Sequence, residues 1–403
     1  MVKVAILGFG TVGSGVAEVL TKNNELINKR LGGAIQLKYI LDLKEFPDSP
    51  FGDKIVHDFS VIENDPEINI VVETMGGATT ALDFTRRALA AGKSVVSSNK
   101  ELVAKHGYEL LQLAKEKDVS YLFEASVGGG IPILRPLHEC LAANEIEEVL
   151  GILNGTTNYI LTRMIKAGLS FETALKEAQA NGYAERDPSA DIEGQDACRK
   201  ICILAAIAFG RHIYPEQVPT EGITHVTLAD VAYADSCGYK IKLLGRAKRM
   251  ADDKVCAYVA PHLVPSDAPL AGVEDVFNAI QVSGDAIGDV MFYGRGAGKL
   301  PTASAVVGDV IDAAKHLHEK KYLDWGPGAP DLTVSPEGLV SPFYVRAQAD
   351  AEAVRTAFGE MNLLARPGAP EQEVAFLTEP MSHADLMEKL KNITALSVIR
   401  VLA

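Results

Sequence analysis

One stretch of the chain combines several carboxylates with a lysine and then becomes apolar on every side. It runs from Gly182 to Gly210, and its acids are Glu185, Asp187, Asp191, Glu193 and Asp196. At roughly 100° per residue, Asp196 and Lys200 share a helix face that continues into the apolar run 201–209. A lysine that enters a low-dielectric region beside carboxylates is a candidate proton-transfer group. The alternative is an ordinary i,i+4 ion pair, which stabilises a helix by about 0.2–0.5 kcal/mol.

A glycine motif near the N-terminus has the spacing of a dinucleotide-binding loop. The apolar run Val2–Leu7 predicts a buried strand, 16–31 predicts a helix, and GFGTVGSG stands between them. Glycines in a GxGxxG pattern permit a tight turn and close approach of a pyrophosphate, and the helix start supplies N–H groups for phosphate. An ordinary glycine turn is the alternative. The candidate cofactor-binding residues of this loop are Gly8, Gly10, Thr11, Val12 and Gly13.

Asp42 directly follows the second predicted strand, 35–41. An acid at this position suits the ribose 2′-hydroxyl of NAD, whereas Lys44, two residues further on, could meet the 2′-phosphate of NADP. A solvated loop acid is the alternative interpretation of Asp42, and the residues leave both open.

Strands and helices then alternate, which predicts a parallel, doubly wound sheet. The elements are predicted at 68–72, 78–91, 94–98, 101–117 and 119–127. Ligands of such sheets bind beyond the carboxyl ends of the strands, where Thr74, Asn99 and Lys100 lie. A cation at a helix start has the wrong sign for the helix dipole. A bound anion or carboxylate would therefore explain Lys100 better than an ordinary helix-start lysine would.

Two further loops are rich in small residues. The segment 124–132 (EASVGGGIP) contains three consecutive glycines after a strand, which leaves carbonyl groups able to turn toward a cation or ligand, unless it is a bare glycine loop. A helix is predicted at 133–143 and a strand at 148–153. The following Asn154–Thr157 suits contacts to a small polar substrate and would serve equally as a helix N-cap.

The C-terminal half has a different pattern. Antiparallel strands are predicted at 239–250 and 254–264, further strands at 276–282 and 289–293, and a helix ending near 317. The Pro- and Gly-rich segment 320–341 predicts a linker. Residues 343–402 then predict βαββαβ, with strands at 343–348, 363–365, 373–377 and 396–402 and helices at 351–361 and 382–390.

The sequence therefore predicts an α/β protein with a doubly wound nucleotide domain, an α+β domain and a small ferredoxin-like domain. The predicted domains are 1–130, completed by the helix at about 300–318, then 131–319 for substrate binding and dimerisation, the linker 320–341, and 342–403.

Composition excludes several classes of partner. The 403 residues carry a net charge of −14, which disfavours a nucleic-acid backbone as a partner. The longest apolar run, 201–209, is too short to span a bilayer, and the N-terminus is predicted to be a strand rather than a signal peptide. Five cysteines without a CxxC pair fit reduced thiols, so we expect a cytoplasmic protein.

Six motifs, in order along nearly the whole chain, resemble homoserine dehydrogenases. They are GFGTVGSG, SSNKEL, EASVGGGIP, NGTTNYIL, AERDPSADIEGQDACRK and GAGKLPTASAVVGD, and the fifth, with its spacing of acids and lysine, is the specific one. The resemblance implies reversible hydride transfer between L-homoserine and L-aspartate 4-semialdehyde with NAD or NADP, in threonine and methionine biosynthesis. It also implies a homo-oligomer, either a dimer or a tetramer.

The resemblance also implies roles for particular residues. Lys200 and Lys100 match the two lysines at the reacting centre, and Asp196 would fix the side chain of Lys200. The implied substrate-binding residues are Glu185, which holds the ammonium group, with Asp191, Gly155 and Thr156. Thr74 and Gly298 match positions beside the nicotinamide end of the cofactor. A monovalent cation, Na⁺ or K⁺, is implied at the main-chain carbonyls of Glu124, Val127, Gly129 and Ile131.

The chain departs from the family pattern at two places. The C-terminal part resembles an ACT regulatory domain, but residues 350–354 lack the Pro-Gly turn that usually follows the acid after the first strand. Many relatives carry arginine before the acid at the end of the second strand, whereas Leu41 precedes Asp42 here. We therefore expect a preference for NAD or relaxed cofactor specificity, together with weak or absent binding of an amino-acid effector.

Two other functions compete with this interpretation. An aldehyde dehydrogenase acting through a cysteine thioester needs an activated cysteine at a strand end or helix start, and none of the five is predicted there. A non-catalytic protein that senses NAD and an amino acid would not need both Lys100 and Lys200. Cofactor binding without turnover would favour that second alternative.

Overall fold

The structure is a computed structural model that describes residues 1–317 and 323–402. Its strands are β1 (Val2–Leu7), β2 (Ile35–Leu41), β3 (Ile55–Val56), β4 (Ile68–Glu73), β5 (Ser94–Ser97), β6 (Tyr121–Leu122), β7 (Ile146–Ile152), β8 (Tyr239–Arg249), β9 (Val255–Pro265), β10 (Phe277–Gly284), β11 (Gly288–Arg295), β12 (Phe343–Gln348), β13 (Glu373–Leu377) and β14 (Thr394–Val401). Its α-helices are α1 (Thr11–Lys22), α2 (Asn24–Leu31), α3 (Phe59–Glu63), α4 (Thr79–Ala90), α5 (Lys100–Glu116), α6 (Gly155–Ala167), α7 (Phe171–Ala180), α8 (Ser189–Ile192), α9 (Gln195–Phe209), α10 (Leu228–Ser236), α11 (Lys299–Lys315), α12 (Ala351–Phe358) and α13 (His383–Lys389).

The chain forms two compact units that interleave along the sequence. The first comprises Met1–Ile146, Cys202–Pro215 and Ser283–Ala329, and the second comprises Glu147–Ile201, Glu216–Val282 and Pro330–Ala403. The predicted domains 1–130, 131–319 and 342–403 remain a proposal about which parts of the chain fold independently.

The first unit contains the predicted parallel sheet. Its strand order is β3-β2-β1-β4-β5-β6, with every neighbouring pair parallel. This is the doubly wound arrangement, in which the crevice for a ligand lies at the carboxyl edge where the strand order reverses, here between β1 and β4. Helix α11, from late in the chain, packs with α1 and β1 in one apolar core through Val16, Ala303, Val306 and Val310.

Three predicted elements of this unit are wrong in detail. The helix predicted at 16–31 begins at Thr11 and breaks into α1 and α2 at Asn23. The strand predicted at 119–127 is only β6, because the chain turns out of the sheet into a 3₁₀ turn at Glu124–Ser126. The helix predicted at 133–143 is a short π-helix, Pro136–Cys140. The N–H groups of Ile133, Leu134 and Arg135 just before it bind the Glu124 carboxylate, and Pro136 has no N–H to donate.

The second unit contains a mixed sheet with the strand order β10-β7-β8-β9-β14-β12-β13. Strands β8 and β9 pair antiparallel over their full length, from Tyr239–Pro265 to Arg249–Val255, as predicted for a hairpin. One apolar core lies around Leu150, Leu244, Val264 and Ala279, and a second lies around Phe343, Val345 and Phe376.

The C-terminal elements follow the predicted βαββαβ order, except that the strand predicted at 363–365 is only a single bridge at Leu363. Strand β12 pairs antiparallel with both β13 and β14, and Leu363 forms an antiparallel bridge to Phe376 on β13. This is the strand order of a ferredoxin-like sheet. The sheet does not end at β14, because Arg400 and Val401 pair parallel with His262 and Leu263 of β9.

The segment predicted to be a linker is packed along its described part; residues 318–322 lie outside the described residues. Trp325 is 4% exposed, and its indole N–H donates to Nδ1 of His212 at 3.1 Å. Leu332 is buried as well, and Thr333 forms a parallel bridge to Val255. The described part of this segment is therefore irregular in structure but packed against the protein, and this irregularity explains its low periodicity.

Candidate functional site

The glycine loop between β1 and α1 is tightly closed at one glycine and open at another. A Cβ atom on Gly13 would lie 1.9 Å from the carbonyl oxygen of Gly8 and 2.8 Å from Oγ1 of Thr74, so the loop itself demands glycine there. A Cβ atom on Gly10 would meet no atom within 4 Å. The space in front of Gly10, at the N-terminus of α1 where Thr11 and Val12 begin the helix, fits the approach of a phosphate group.

Asp42 and Thr74 both hold this loop by hydrogen bonds. The half-buried Asp42 accepts the N–H of Phe9 at 2.8 Å and that of Lys44 at 3.0 Å, one on each carboxylate oxygen. The hydroxyl of Thr74 donates to the carbonyls of Leu7 and Gly8 at 2.9 and 3.0 Å. Asp42 is therefore not a freely solvated loop acid, and its remaining lone pairs lie at the edge where a ribose would bind.

Lys100 begins helix α5 at the carboxyl end of β5. The preceding Asn99 caps the helix by accepting the N–H of Leu102 at 3.0 Å, and its amide donates to the carbonyl of Gly77 at 2.7 Å. This places Lys100 and the loop after β4 on the same edge of the sheet as the glycine loop.

The two remaining glycine-rich segments of the first unit contact each other. A Cβ atom on Gly129 would lie 2.3 Å from the carbonyl oxygen of Gly296, and the N–H of Gly130 donates to the carbonyl of Arg295 at 3.0 Å. Gly298, predicted to lie beside the cofactor, follows in the same loop and precedes α11. No local pattern could predict this pairing, because the two loops are more than 160 residues apart.

The Glu124 side chain has a structural role. Its carboxylate accepts the N–H groups of Ile133, Leu134 and Arg135 at 2.6, 2.8 and 2.7 Å. Asp309 of α11 accepts the N–H of Glu124 at 2.8 Å, and burial raises the pKa of Asp309 to about 7. Any cation bound at Glu124, Val127, Gly129 and Ile131 would rest on carbonyl oxygens. No cluster of three or more His, Cys, Asp or Glu that could hold a metal occurs among the described residues.

Lys200 lies in a buried, hydrogen-bonded cluster in the second unit. It is 7% exposed, and its ammonium group donates to Oδ2 of Asp196 and to the carbonyl of Leu153, both at 2.7 Å. Asp196 is itself only 4% exposed. The pair is therefore a desolvated, oriented ion pair and not the solvated i,i+4 pair considered as the alternative.

Asn154 completes this cluster and was placed by sequence reasoning only as a helix cap or substrate contact. Its Oδ1 accepts the N–H of Thr157 at 2.8 Å, which caps α6. Its amide group donates to Asp191 at 2.7 Å and to Asp196 at 2.9 Å. Asn154 thus joins the strand end at Leu153 to Asp191 and Asp196, two of the five acids of the motif.

The other predicted substrate-binding residues lie around this cluster. The hydroxyl of Thr156 donates to the carbonyl of Tyr183 at 2.7 Å, and Gly155 packs so closely that a Cβ atom would lie 2.8 Å from the carbonyl oxygen of Val276. The Glu185 side chain is exposed, and its carbonyl accepts the side-chain amide of Gln179 at 3.0 Å. Among the described residues, the hydrogen bonds named above for the cluster do not include the Glu185 carboxylate.

None of the described helices is both long enough and apolar enough to cross a membrane.

Comparison with known proteins assigns both halves of the chain. Residues 8–124 match the model of the homoserine dehydrogenase NAD-binding domain, and residues 132–311 match the model of homoserine dehydrogenase. The homoserine dehydrogenase of Pseudomonas aeruginosa is 44% identical over 86% of this chain and 82% of its own length. That of Bacillus subtilis is 36% identical over 99% of this chain and 96% of its own length.

Solved structures give the same result. The crystal structure of a homoserine dehydrogenase from Thiobacillus denitrificans superposes with a TM-score of 0.91 at 37% identity, covering 100% of this chain and 98% of that one. A hyperthermophilic archaeal homoserine dehydrogenase, solved in complex with NADPH, superposes with a TM-score of 0.66 at 31% identity, covering 77% of this chain and 97% of that one. The chain therefore belongs to the homoserine dehydrogenase family.

Proposed function

We propose that the chain catalyses the reversible, NAD(P)-dependent interconversion of L-homoserine and L-aspartate 4-semialdehyde, with Lys200 as its proton-transfer residue. The observation that supports this role is the Lys200 ammonium group, which is buried and held by Asp196 and the Leu153 carbonyl. A proton donor whose direction is set by two hydrogen bonds needs little reorganisation when the substrate oxygen gains or loses its proton.

The other residues bind and orient the substrate in this proposal. Lys100 supplies positive charge where oxyanion character develops during reduction of the aldehyde. Asp191 and Glu185 supply negative charge for the substrate ammonium group, and the start of α6 at Gly155 and Thr156 binds its carboxylate. The exposed Glu185 must turn toward the substrate, since its carboxylate stands outside the cluster around Lys200.

NAD or NADP supplies or accepts the hydride. The residues that would hold it are the glycine loop at Gly8, Gly10 and Gly13, the helix start at Thr11 and Val12, and Asp42, Thr74, Lys100 and Gly298. The absence of an arginine before Asp42 supports NAD or relaxed specificity. The four carbonyl positions near Glu124 have the neutral oxygen donors that suit Na⁺ or K⁺.

The C-terminal βαββαβ part is proposed to be an ACT-like domain, and the protein is proposed to be a cytoplasmic homo-oligomer, as the resemblance implies. The first experiment is to measure initial rates with L-homoserine and either NAD or NADP. Turnover with either cofactor supports the proposed reaction. Cofactor binding without turnover would instead support the non-catalytic sensing protein.

Lys200→Ala tests the assigned residue. We expect kcat to fall by about 10²–10⁴-fold, the usual contribution of a positioned acid–base group, while the Kd of NADPH stays unchanged. Lys166→Ala is the matched control in the same unit, because Lys166 pairs with Glu274 on the surface and should not alter kcat. If Lys200→Ala keeps activity within a few-fold of the parent, Lys200 is structural and the proposed role is wrong.

A further inference from the structure

A closed ring of hydrogen bonds joins the ends of β4 and β5 beneath the proposed cofactor site. The Glu73 carboxylate accepts the N–H of Met75 at 2.8 Å and the hydroxyl of Ser97 at 2.6 Å. The Ser97 oxygen accepts the N–H of Asn99 at 3.0 Å. The Asn99 amide donates back to the carbonyls of Met75 at 3.4 Å and Gly77 at 2.7 Å. The ring therefore fixes the loop 74–77 relative to the residue that caps α5.

Two residues with proposed roles are next in sequence to members of this ring. Thr74 lies between Glu73 and Met75 and binds the glycine loop through its hydroxyl. Lys100 follows Asn99 and is the first residue of α5. A shift of either strand end would change the spacing between Thr74 and Lys100, although neither side chain belongs to the ring.

Burying a carboxylate inside this ring costs desolvation free energy. Glu73 and Ser97 are both fully buried at 0% exposure, and Glu73 has no ion pair within the described part of the chain. An apolar pair of the same size would meet no such desolvation cost. A buried carboxylate kept without a counter-ion at the ligand-binding edge of the sheet is better explained by function than by stability.

We infer that Glu73 and Ser97 are positioning residues for the reaction, which set the spacing of Thr74 and Lys100 and so align cofactor and substrate. This inference rests on the proposed function, and it concerns residues that touch neither ligand. Misplacing a reacting group by about 1 Å can lower a rate by as much as 10²-fold, so a ring of this kind has a measurable kinetic effect.

The pH dependence of the ring follows from its hydrogen bonds. Burial raises the pKa of Glu73 to about 7, and the hydrogen bonds from Ser97 and Met75 oppose that rise. Ionised Glu73 accepts both donors, so the ring is complete above pH 7 and weakened below it. The groups that face Glu73 are the buried phenol of Tyr121 on β6 and the uncharged Ser97 and Asn99. Burial raises the pKa of Tyr121 well above its usual value. Lys100 is the first residue of the adjoining helix α5.

A matched pair of serine variants on one strand tests the inference. Ser94 and Ser97 are both buried on β5 and each accepts one backbone N–H, but Ser94 lies at the amino end and binds Ser120. We expect Ser97→Ala to raise the KM of the cofactor and to lower kcat/KM for homoserine by about tenfold, whereas Ser94→Ala changes neither by more than about twofold. Thermal unfolding of both variants checks that each is folded.

The pH profile separates positioning from a merely structural role. Ser97→Ala removes a hydrogen bond that lowers the pKa of Glu73, so the acid limb of kcat/KM should move to higher pH than in the parent. Glu73→Gln cannot ionise, so its profile should lack that limb. Equal kinetics and equal pH profiles for Ser97→Ala and Ser94→Ala would overturn the inference while leaving an active parent enzyme. An inactive parent would count against the proposed function, and the Kd of NADPH for the two serine variants would then decide the inference.

Discussion

Gly10 and Gly13 belong to one loop, but they are glycine for different physical reasons. A side chain at Gly13 would collide with the backbone at Gly8, so glycine there closes the loop on itself. A side chain at Gly10 would enter open space in front of the helix start. We therefore propose that the restriction at Gly10 comes from the pyrophosphate of the cofactor and not from the protein.

This difference predicts that the same substitution affects stability at only one of the two positions. Gly10→Ala should leave the midpoint of thermal unfolding nearly unchanged and raise the Kd of NADPH at least about tenfold, a loss of about 1.4 kcal/mol. Gly13→Ala should lower stability as well as affinity, because backbone atoms must move. Fluorescence titration and thermal unfolding measure the two effects. A destabilised Gly10→Ala, or a stable Gly13→Ala with normal affinity, would contradict this account of the loop.

Local spacing predicted some of the candidate site and could not predict the rest. The i,i+4 separation of Asp196 and Lys200 is visible in the sequence because it depends only on helix geometry. The link from Asn154 to Asp191 and Asp196 spans about 40 residues and depends on how β7 and α9 pack. The same holds for Glu73, whose partner Ser97 lies on the neighbouring strand. Contacts between side chains on different elements leave no periodic pattern in the sequence.

At the scale of elements, a buried ionic cluster attaches the C-terminal strands to helix α10. Arg346 of β12 donates to Asp230 at 2.8 Å and to Glu373 at 3.0 Å, and the hydroxyl of Tyr344 donates to Asp230 at 3.1 Å. Asp230 is fully buried and also forms the capping box of α10 with Thr227. The Asp230 carboxylate therefore caps helix α10 and also binds strand β12 to that helix.

Removal of the arginine should be costly because it leaves that carboxylate buried without its cation. We expect Arg346→Met to lower the free energy of unfolding by about 3–5 kcal/mol, as is typical when one partner of a buried pair is lost. Arg355→Met on α12 is the control, since Arg355 is half exposed and its contact with Glu360 is 3.8 Å long, so about 0–1 kcal/mol is expected. Denaturant unfolding of both variants measures this difference. Similar losses in the free energy of unfolding would mean that the buried cluster stabilises the protein no more than a surface ion pair does.

The elements that sequence periodicity missed are those in which a distant side chain binds the backbone. Predicted strands such as β12 and β13 match the observed bounds, because alternation of apolar residues indicates a strand, although both faces of β12 are buried in the structure. The turn at Glu124–Ser126 was predicted to continue a strand, yet Asp309 from α11 holds its first N–H. That contact joins residues 185 positions apart, so no local pattern could reveal it.

At the scale of the whole molecule, the described C-terminal strands are continuous with the sheet of the second unit. Strand β14 pairs with β9, and Arg346 and Tyr344 bind Asp230. Control of activity from this part would require two states that bind an effector with different affinities. The question is therefore whether the loop after β12 can bind an effector at all.

We expect threonine to have little or no effect on activity. Asp350 accepts the N–H of Ala353 at 2.7 Å and so caps its own helix α12, and no Pro-Gly turn follows it to present further N–H groups to an amino-acid carboxylate. Typical allosteric coupling changes affinity by about 5–150-fold, so rates measured with homoserine and cofactor near their KM should change by less than about fivefold when threonine is added. Calorimetric titration of the full chain, beside rates with and without threonine, checks this. Sub-millimolar binding coupled to inhibition, lost in Asp350→Ala but kept in Asp385→Ala on α13, would show that the loop binds an effector without the Pro-Gly turn.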